Sequence, residues 1–262
     1  MIHRKSQSDL DRMAAAGAIV AETLALLAES ARPGMSTLEL DEIAERHIRA
    51  AGGVPTFKGY RGFPGSICAS PNDMIVHGIP ADDVVLADGD IISIDVGVTR
   101  QGFVADSAVT VAIGTPPEPA LELMRVCQAS LFAAVEACQP GCRLGDIGAA
   151  VQGVVEGAGF AVVRDLVGHG VGRAMHEDPQ VPNYCSPAFR RNYDFELETG
   201  LVIAVEPMVN MGTKKVRLMP DHWTQSTVDG LPSAHFEHTI AITEEGPEVL
   251  TRGPDAGESA PV

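Results

Sequence analysis

The chain reads as an α+β protein built from two related halves, and three features of the sequence predict this. Residues 91–110 are rich in β-branched side chains on either side of a break at Thr99-Arg100-Gln101-Gly102, the pattern of two strands joined by a tight turn. Helix-like segments come in pairs, one pair before this hairpin and one after it. The pairs share an internal interval, since Pro33-Gly34 to Ala51-Gly52 recurs as Pro140-Gly141 to Ala158-Gly159. Both dipeptides are common punctuation, so the interval counts only because element order agrees as well: helix, break, helix, then strands. Two such halves would face a cleft.

Each element has its own signal. A helix is expected from Ser8 to Ser30, with Ser8 or Asp9 as its cap. Its centre, Ala14 to Ala28, is apolar apart from Glu22 and Thr23; it is too short for a membrane span and follows two acidic residues, Asp9 and Asp11, which suits a buried helix. After Arg32-Pro33-Gly34-Met35, Ser36 and Glu39 form a capping-box signature, and Leu40, Ile43, Ala44 and Ile48 share one face of a second helix ending at Gly52-Gly53. Gly114-Thr115-Pro116-Pro117-Glu118-Pro119 reads as the connector between halves. A third helix is expected over Ala120 to Gln139 and a fourth through Leu144, Ile147 and Val151, stopping at Ala158-Gly159. Phe160 to Val167 carries strand signal, 177–200 reads as a polar loop without an element, Leu201 to Val209 as one buried strand, and His235 to Thr243 as the last strand.

Composition narrows the function classes. At 262 residues, 45% hydrophobic and 21% charged, the chain has the make-up of a soluble globular protein. Its formal net charge of −16 argues against broad binding to nucleic acid, which would be repelled over most of the surface. Five cysteines, in no zinc-finger or disulfide-framework spacing, point to reduced thiols and a cytosolic compartment.

The hairpin also carries the first chemical signal. With its turn centred between Arg100 and Gln101, Asp95 falls directly opposite Asp106. Like charges facing each other at roughly 5 Å destabilise a sheet, so two such carboxylates among apolar neighbours call for a cation. His169, Glu206 and Glu237 likewise sit in or beside apolar strands. Singly, a histidine between glycines is a turn residue and a strand-end glutamate faces water. Together the five make an oxygen-rich set suited to two divalent ions, with manganese, iron, cobalt and zinc fitting better than magnesium.

At these residues the chain resembles a known family. Asn72 to Pro80 (N-D-M-I-V-H-G-I-P), the Asp95/Asp106 hairpin, Gly168 to Tyr184 (G-H-G-V-G-R-A-M-H-E-D-P-Q-V-P-N-Y), Val205 to Val209 (V-E-P-M-V) and Phe236 to Thr239 (F-E-H-T) resemble type I methionine aminopeptidase, in order, over about residues 8–250. The resemblance implies the pita-bread fold, an antiparallel central sheet of two pseudo-symmetric halves with helices outside. A single catalytic domain over 1–252 is expected, with the repeat giving halves about 8–114 and 120–250, and the composition of 253–262 reads as a disordered tail. Two divalent ions (Co, Mn, Fe or Zn) are expected. Asp95 would hold one, His169 and Glu206 the other, and Asp106 and Glu237 would bridge them. His77 and His176 match the non-ligand histidines that contact the scissile peptide, and Glu206 is the candidate proton acceptor for the attacking water. An apolar pocket of Tyr60, Phe63, Cys68, Met175 and Trp223 would take the methionine side chain; the same residues also read as ordinary core. Two positions depart from the family pattern: Met175 stands where an aromatic is usual, and His235 where an amide is common.

The expected reaction is removal of the initiator methionine from new polypeptides whose second residue is small. The short interval between Glu206 and Glu237 lacks the helical insertion of type II enzymes, and no amino-terminal zinc-binding extension precedes the first helix, so the short bacterial form is expected. Expected partners are peptide and nascent-chain amino termini, with the ribosome as a candidate; no membrane, no specific nucleic acid and a monomeric state are expected. Lys214, Lys215 and Arg217 form a basic cluster able to approach ribosomal RNA, though it reads more readily as a solvated loop. Two competing readings keep the fold: cleavage of Xaa-Pro bonds, whose known enzymes carry an added amino-terminal domain, and a metal-free binding module, whose members have lost ligands that this chain retains.

Overall fold

The structure is a computed structural model and describes residues 2–253. The tail expected to be disordered lies, apart from Gly253, outside the described residues. Helix α1 (Gln7–Ser30) starts earlier than the sequence suggests. Ser6 is its cap, accepting from the Asp9 N–H while the Asp9 carboxylate accepts from the Ser6 N–H. Asp9 is thus the far partner of a capping box rather than the cap itself. Helix α2 (Thr37–Ala50) opens with the expected Ser36/Glu39 box. Helix α1 is long and apolar enough to cross a membrane by length and composition, but Ala16, Ile19, Val20, Leu24 and Leu27 are buried in the protein core.

Strands β1 (Val54–Pro55), β2 (Cys68–Pro71) and β3 (Met74–Val76) precede the long hairpin of β4 (Ile91–Arg100) and β5 (Phe103–Ala112). In the second half come α3 (Glu118–Ala137) and α4 (Leu144–Gly157). The start of α3 takes in Pro119, assigned above to the connector, because a first-turn proline gives up no helical hydrogen bond. The strand expected from Phe160 shrinks to β6 (Ala161–Val162). It leads to β7 (Gly168–Gly170).

The span 177–200 is not featureless. It holds β8 (Glu177–Val181), which pairs with β7 at the edge of a sheet, and α5 (Pro187–Asn192), capped by Ser186 accepting from the Phe189 N–H. A polar edge strand alternates too weakly to read as one. The expected strand over Leu201 to Val209 is two, β9 (Val202–Val205) and β10 (Met208–Asn210), parted at Glu206-Pro207, where proline supplies no ladder donor. Strands β11 (Val216–Leu218) and β12 (Gln225–Thr227) follow. The run expected as the last strand is also two, β13 (Ser233–His235) and β14 (His238–Thr243), and β15 (Gly246–Val249) comes after them.

The described residues form four sheets, and two of them make the centre. One has the order β1-β4-β2, with β5 also on β4; the other is β15-β14-β9-β7-β8. They are stitched together between β5 and the start of β14. Glu237 N–H donates to the Ala108 carbonyl at 2.9 Å, and the Thr239 hydroxyl donates to the Asp106 carbonyl at 2.8 Å and accepts from the Asp106 N–H at 3.0 Å. The paired helices α1/α2 and α3/α4 pack their apolar faces, including Leu24, Ile48, Leu123 and Val151, into one core with Ile92, Ile94, Ile203 and Ile240 of these sheets. Helices therefore cover the outside and leave the inner face of the joined sheets for chemistry.

Candidate metal centre and active site

The β4–β5 turn consists of Gln101 and Gly102, both with positive φ (51° and 79°), as a two-residue hairpin turn requires. This moves the turn one residue along the chain from its expected place, and each cross-strand partner by two. Asp95 pairs with Ala108 and Asp106 with Gly97, so the aspartates are not directly opposed. They remain on one face, diagonal to each other, because they differ from register by an even step.

The stitch between sheets brings Glu237 beside that face, and β7 and the end of β9 bring His169 and Glu206. Asp95, Asp106, His169, Glu206 and Glu237 all line one cavity of about 170 Å³, together with His77 and His176. One oxygen each of Asp106 and Glu237 and one nitrogen of His169 lie within 4.8 Å of one another. His169 Nε2 is 3.6 Å from Glu206 Oε1 and 3.8 Å from Asp106 Oδ2. These separations are too long for hydrogen bonds. They match donors converging on a shared ion, which at about 2 Å from each leaves them roughly 3–4 Å apart.

Electrostatics argue for the same occupant. Burial raises Asp95, Asp106, Glu206 and Glu237 above the usual carboxylate range, and mutual repulsion among them adds to the rise in the last three. Asp95 Oδ1, Asp106 Oδ1 and Glu237 Oε1 are buried without a hydrogen-bond partner. Among the described residues lining the cavity, Arg61 is the sole lysine or arginine, and it is exposed at the rim. Burial holds His169 neutral, with a pKa lowered to about 4. Its Nδ1 lies 2.8 Å from the Gly170 carbonyl; donating there leaves the Nε2 lone pair free toward the carboxylates. Three buried carboxylates and a partly buried one, Glu206, with orphaned oxygens and an imidazole presenting a lone pair, fit divalent cations.

One part of the remaining cavity wall is largely apolar. Tyr60, Phe63, Cys68, Met175 and Trp223, the five residues expected to hold the methionine side chain, line it. Phe63 meets Trp223 edge-on at 5.1 Å between centroids, and burial pushes the Cys68 thiol well up, so it acts as a small apolar group. Two lining residues went unnoticed in the sequence, Phe57 and Arg61. The signal that could have found Arg61 is the glycine pair flanking Tyr60-Arg61, a turn marker, and Gly59, Arg61 and Gly62 all take positive φ. Arg61 lies 5.3 Å from the Tyr60 ring centroid. His176 Nδ1 is 2.9 Å from the Tyr60 hydroxyl, and its ring centroid is 4.2 Å from that of His169. Burial lowers His77 to about 4 and also lowers His176, helped there by the Arg61 charge. His235 is not among the residues lining the cavity. Lys214, Lys215 and Arg217 are exposed, with Arg217 3.4 Å from Asp73.

A helix-wrapped double sheet with an acidic, imidazole-bearing cavity at its seam defines a metallohydrolase of the pita-bread fold. The chain belongs to metallopeptidase family M24, whose family model matches residues 11–244. Its relatives include methionine aminopeptidase 1 of Bacillus subtilis (strain 168), 50% identical over 252 residues that span 96% of this chain and 100% of that protein. Methionine aminopeptidase of Escherichia coli (strain K12) is 43% identical over 94% of this chain and 92% of that protein. The crystal structure of methionine aminopeptidase from Thermotoga maritima superposes with a TM-score of 0.93 at 42% identity, over 96% of this chain and 100% of that one. Prolidase from Pyrococcus furiosus shares the fold, with a TM-score of 0.75 at 21% identity, over 95% of this chain and 65% of that one.

Proposed function

We infer that the chain is a methionyl aminopeptidase, a metal-dependent exopeptidase that hydrolyses the bond after an amino-terminal methionine. The observation that carries this is the pairing, in one cavity, of five metal-donor side chains with an apolar pocket suited to a thioether. Asp95, Asp106, His169, Glu206 and Glu237 would hold two divalent ions, of which Co, Mn, Fe and Zn suit the mixed oxygen and nitrogen donors. Bound there, the ions would supply Lewis acidity and make a water acidic enough to ionise near neutral pH.

The remaining chemistry falls to the chain. Glu206, raised by burial, suits a group that takes the proton of the attacking water and returns it to the leaving amine. The Tyr60 hydroxyl, donating to His176 Nδ1, leaves Nε2–H of His176 to polarise the scissile carbonyl. His77, neutral and lining the same cavity, is the second histidine to contact the peptide. Tyr60, Phe63, Cys68, Met175 and Trp223 enclose the methionine side chain and keep water from it.

We propose further that residues 1–252 form one catalytic domain, acting as a cytosolic monomer on nascent chains whose second residue is small. The five free cysteines support a reducing compartment. Exposed Lys214, Lys215 and Arg217 are the surface that would approach the ribosome. Hydrolysis of Met-Ala-Ser compared with an Xaa-Pro peptide, with added Mn²⁺ or Co²⁺, tests the assignment. Release of methionine from the former is expected, and preference for the latter overturns it.

A further inference from the structure

His235 stands behind the cavity wall, yet its ring faces two of the carboxylates. The residue is 1% exposed, and its Nε2 has no hydrogen-bond partner. That nitrogen lies 3.9 Å from Glu206 Oε2 and 3.9 Å from Glu237 Oε2. The backbone of His235 is clamped to the neighbouring sheet: its N–H donates to Thr110 Oγ1 at 2.9 Å, and its carbonyl accepts from the same hydroxyl at 2.9 Å. It also pairs with Met208 across the β10–β13 ladder. The ring therefore starts from a fixed platform, two residues before Glu237 on one side and across from the strand that follows Glu206 on the other. A buried ring nitrogen without a partner is costly, and a shift of about 1 Å by either carboxylate would give it one. A carboxylate oxygen that grips a cation keeps a second lone pair able to accept such a bond, and donors of this kind orient metal ligands.

We propose that His235 is a positioning residue for the metal centre, its Nε2–H aimed between Oε2 of Glu206 and Oε2 of Glu237 and holding these carboxylates in place. This rests on the reading of the cavity as a metal site. The proposal makes His235 neither a ligand nor a group that touches substrate: it acts through the two glutamates. An amide at this position would keep an N–H donor, so a glutamine should meet the same geometric need as the histidine.

The test compares wild type with His235→Leu and His235→Gln. Metal-free protein is titrated with Co²⁺ by calorimetry, the visible spectrum of the Co²⁺ form is recorded, and thermal unfolding of the metal-free form checks folding. The Leu variant is expected to bind Co²⁺ about 10- to 100-fold more weakly, with an altered spectrum, and the Gln variant to recover most of the loss. Should the Leu variant not fold, His235→Asn, whose amide is too short to reach, takes its place. Wild-type affinity and spectrum in the Leu or Asn variant, or a Gln variant no better than these, overturns the role of His235 alone. A wild type that takes up no Co²⁺ overturns the metal-site reading and this proposal with it.

Discussion

Asp95 and Asp106 are diagonal neighbours on one face of the β4–β5 hairpin, with Gly97 opposite Asp106 and Ala108 opposite Asp95. The offset spares the sheet a head-on pair of like charges while keeping both carboxylates in reach of one cavity. Gly97 matters here because a Cβ at that position would lie 2.7 Å from Phe57 Cε1, in space that an aromatic ring of the cavity wall already fills.

Asp106 is central to the arrangement, since His169, Glu237 and Asp95 all approach it. Asp106→Ala is expected to reduce turnover to background and to lower the bound-metal content, while the hairpin survives because alanine is tolerated in a buried strand. Metal analysis and the Met-Ala-Ser assay check this. Near-normal activity in the variant would contradict a bridging role.

Metal removal should couple to pH with a definite sign. Burial raises Asp95 to about 7, and Asp106, Glu206 and Glu237 are raised too. Between the ordinary carboxylate value of about 4 and neutrality, the metal-free folded state keeps protons that the unfolded chain has lost. These groups therefore destabilise the metal-free fold progressively as pH rises through that window, and a cation that replaces the protons reverses the effect. Binding should release protons. The expected result is a larger rise in Tm on adding Mn²⁺ to chelator-treated protein at pH 7.5 than at pH 5.5. An equal or larger rise at the lower pH would count against the site.

The glycines around His169 are steric requirements. A Cβ on Gly168 would sit 2.3 Å from the Ala204 carbonyl oxygen, and one on Gly170 would sit 2.1 Å from that of Asp178. Both obstacles are backbone, so β8 or β9 would have to move, and with them the imidazole between. Gly168→Ala and Gly170→Ala are each expected to cost at least about 1–3 kcal/mol and to weaken metal binding. Gly153→Ala, in α4 with nothing within 4 Å of the new methyl group, should instead stabilise by roughly 0.5–1 kcal/mol. Denaturant unfolding of the three variants separates these outcomes.

Much of this was legible in the sequence where the signal is local. The Ser36/Glu39 box, the Pro-Gly breaks and the β-branched runs mark elements through short-range chemistry, and α2, β4 and β5 follow them. The sequence pattern places the turn one residue too early, and so each cross-strand partner two residues off, because either Arg100-Gln101 or Gln101-Gly102 can centre the turn, and the glycine decides it. Continuous apolar runs hid the breaks at Glu206-Pro207 and Phe236-Glu237, which are the places where the chain leaves its ladder and turns a carboxylate inward. Each candidate ligand could be named from its motif, but convergence depends on pairings such as Ala108 with Glu237, which no local pattern encodes.

Arg61 gives the cavity rim a control on its own histidine. Burial is the main cause of the lowered pKa of His176, and the Arg61 guanidinium adds to it by repelling a proton on the ring. Both effects keep His176 neutral at physiological pH. In Arg61→Ala the repulsion is gone, so the His176 pKa moves up toward its ordinary value, and protonation begins at a higher pH. The acid limb of the kcat/KM profile is then expected to shift upward, with activity near pH 8 little changed. Because Arg61 is exposed, the wild-type limb should itself move upward with added salt, whereas that of the variant should respond less. A profile recorded at low and high ionic strength for both proteins measures this, and coincident acid limbs would show that Arg61 exerts no hold on His176.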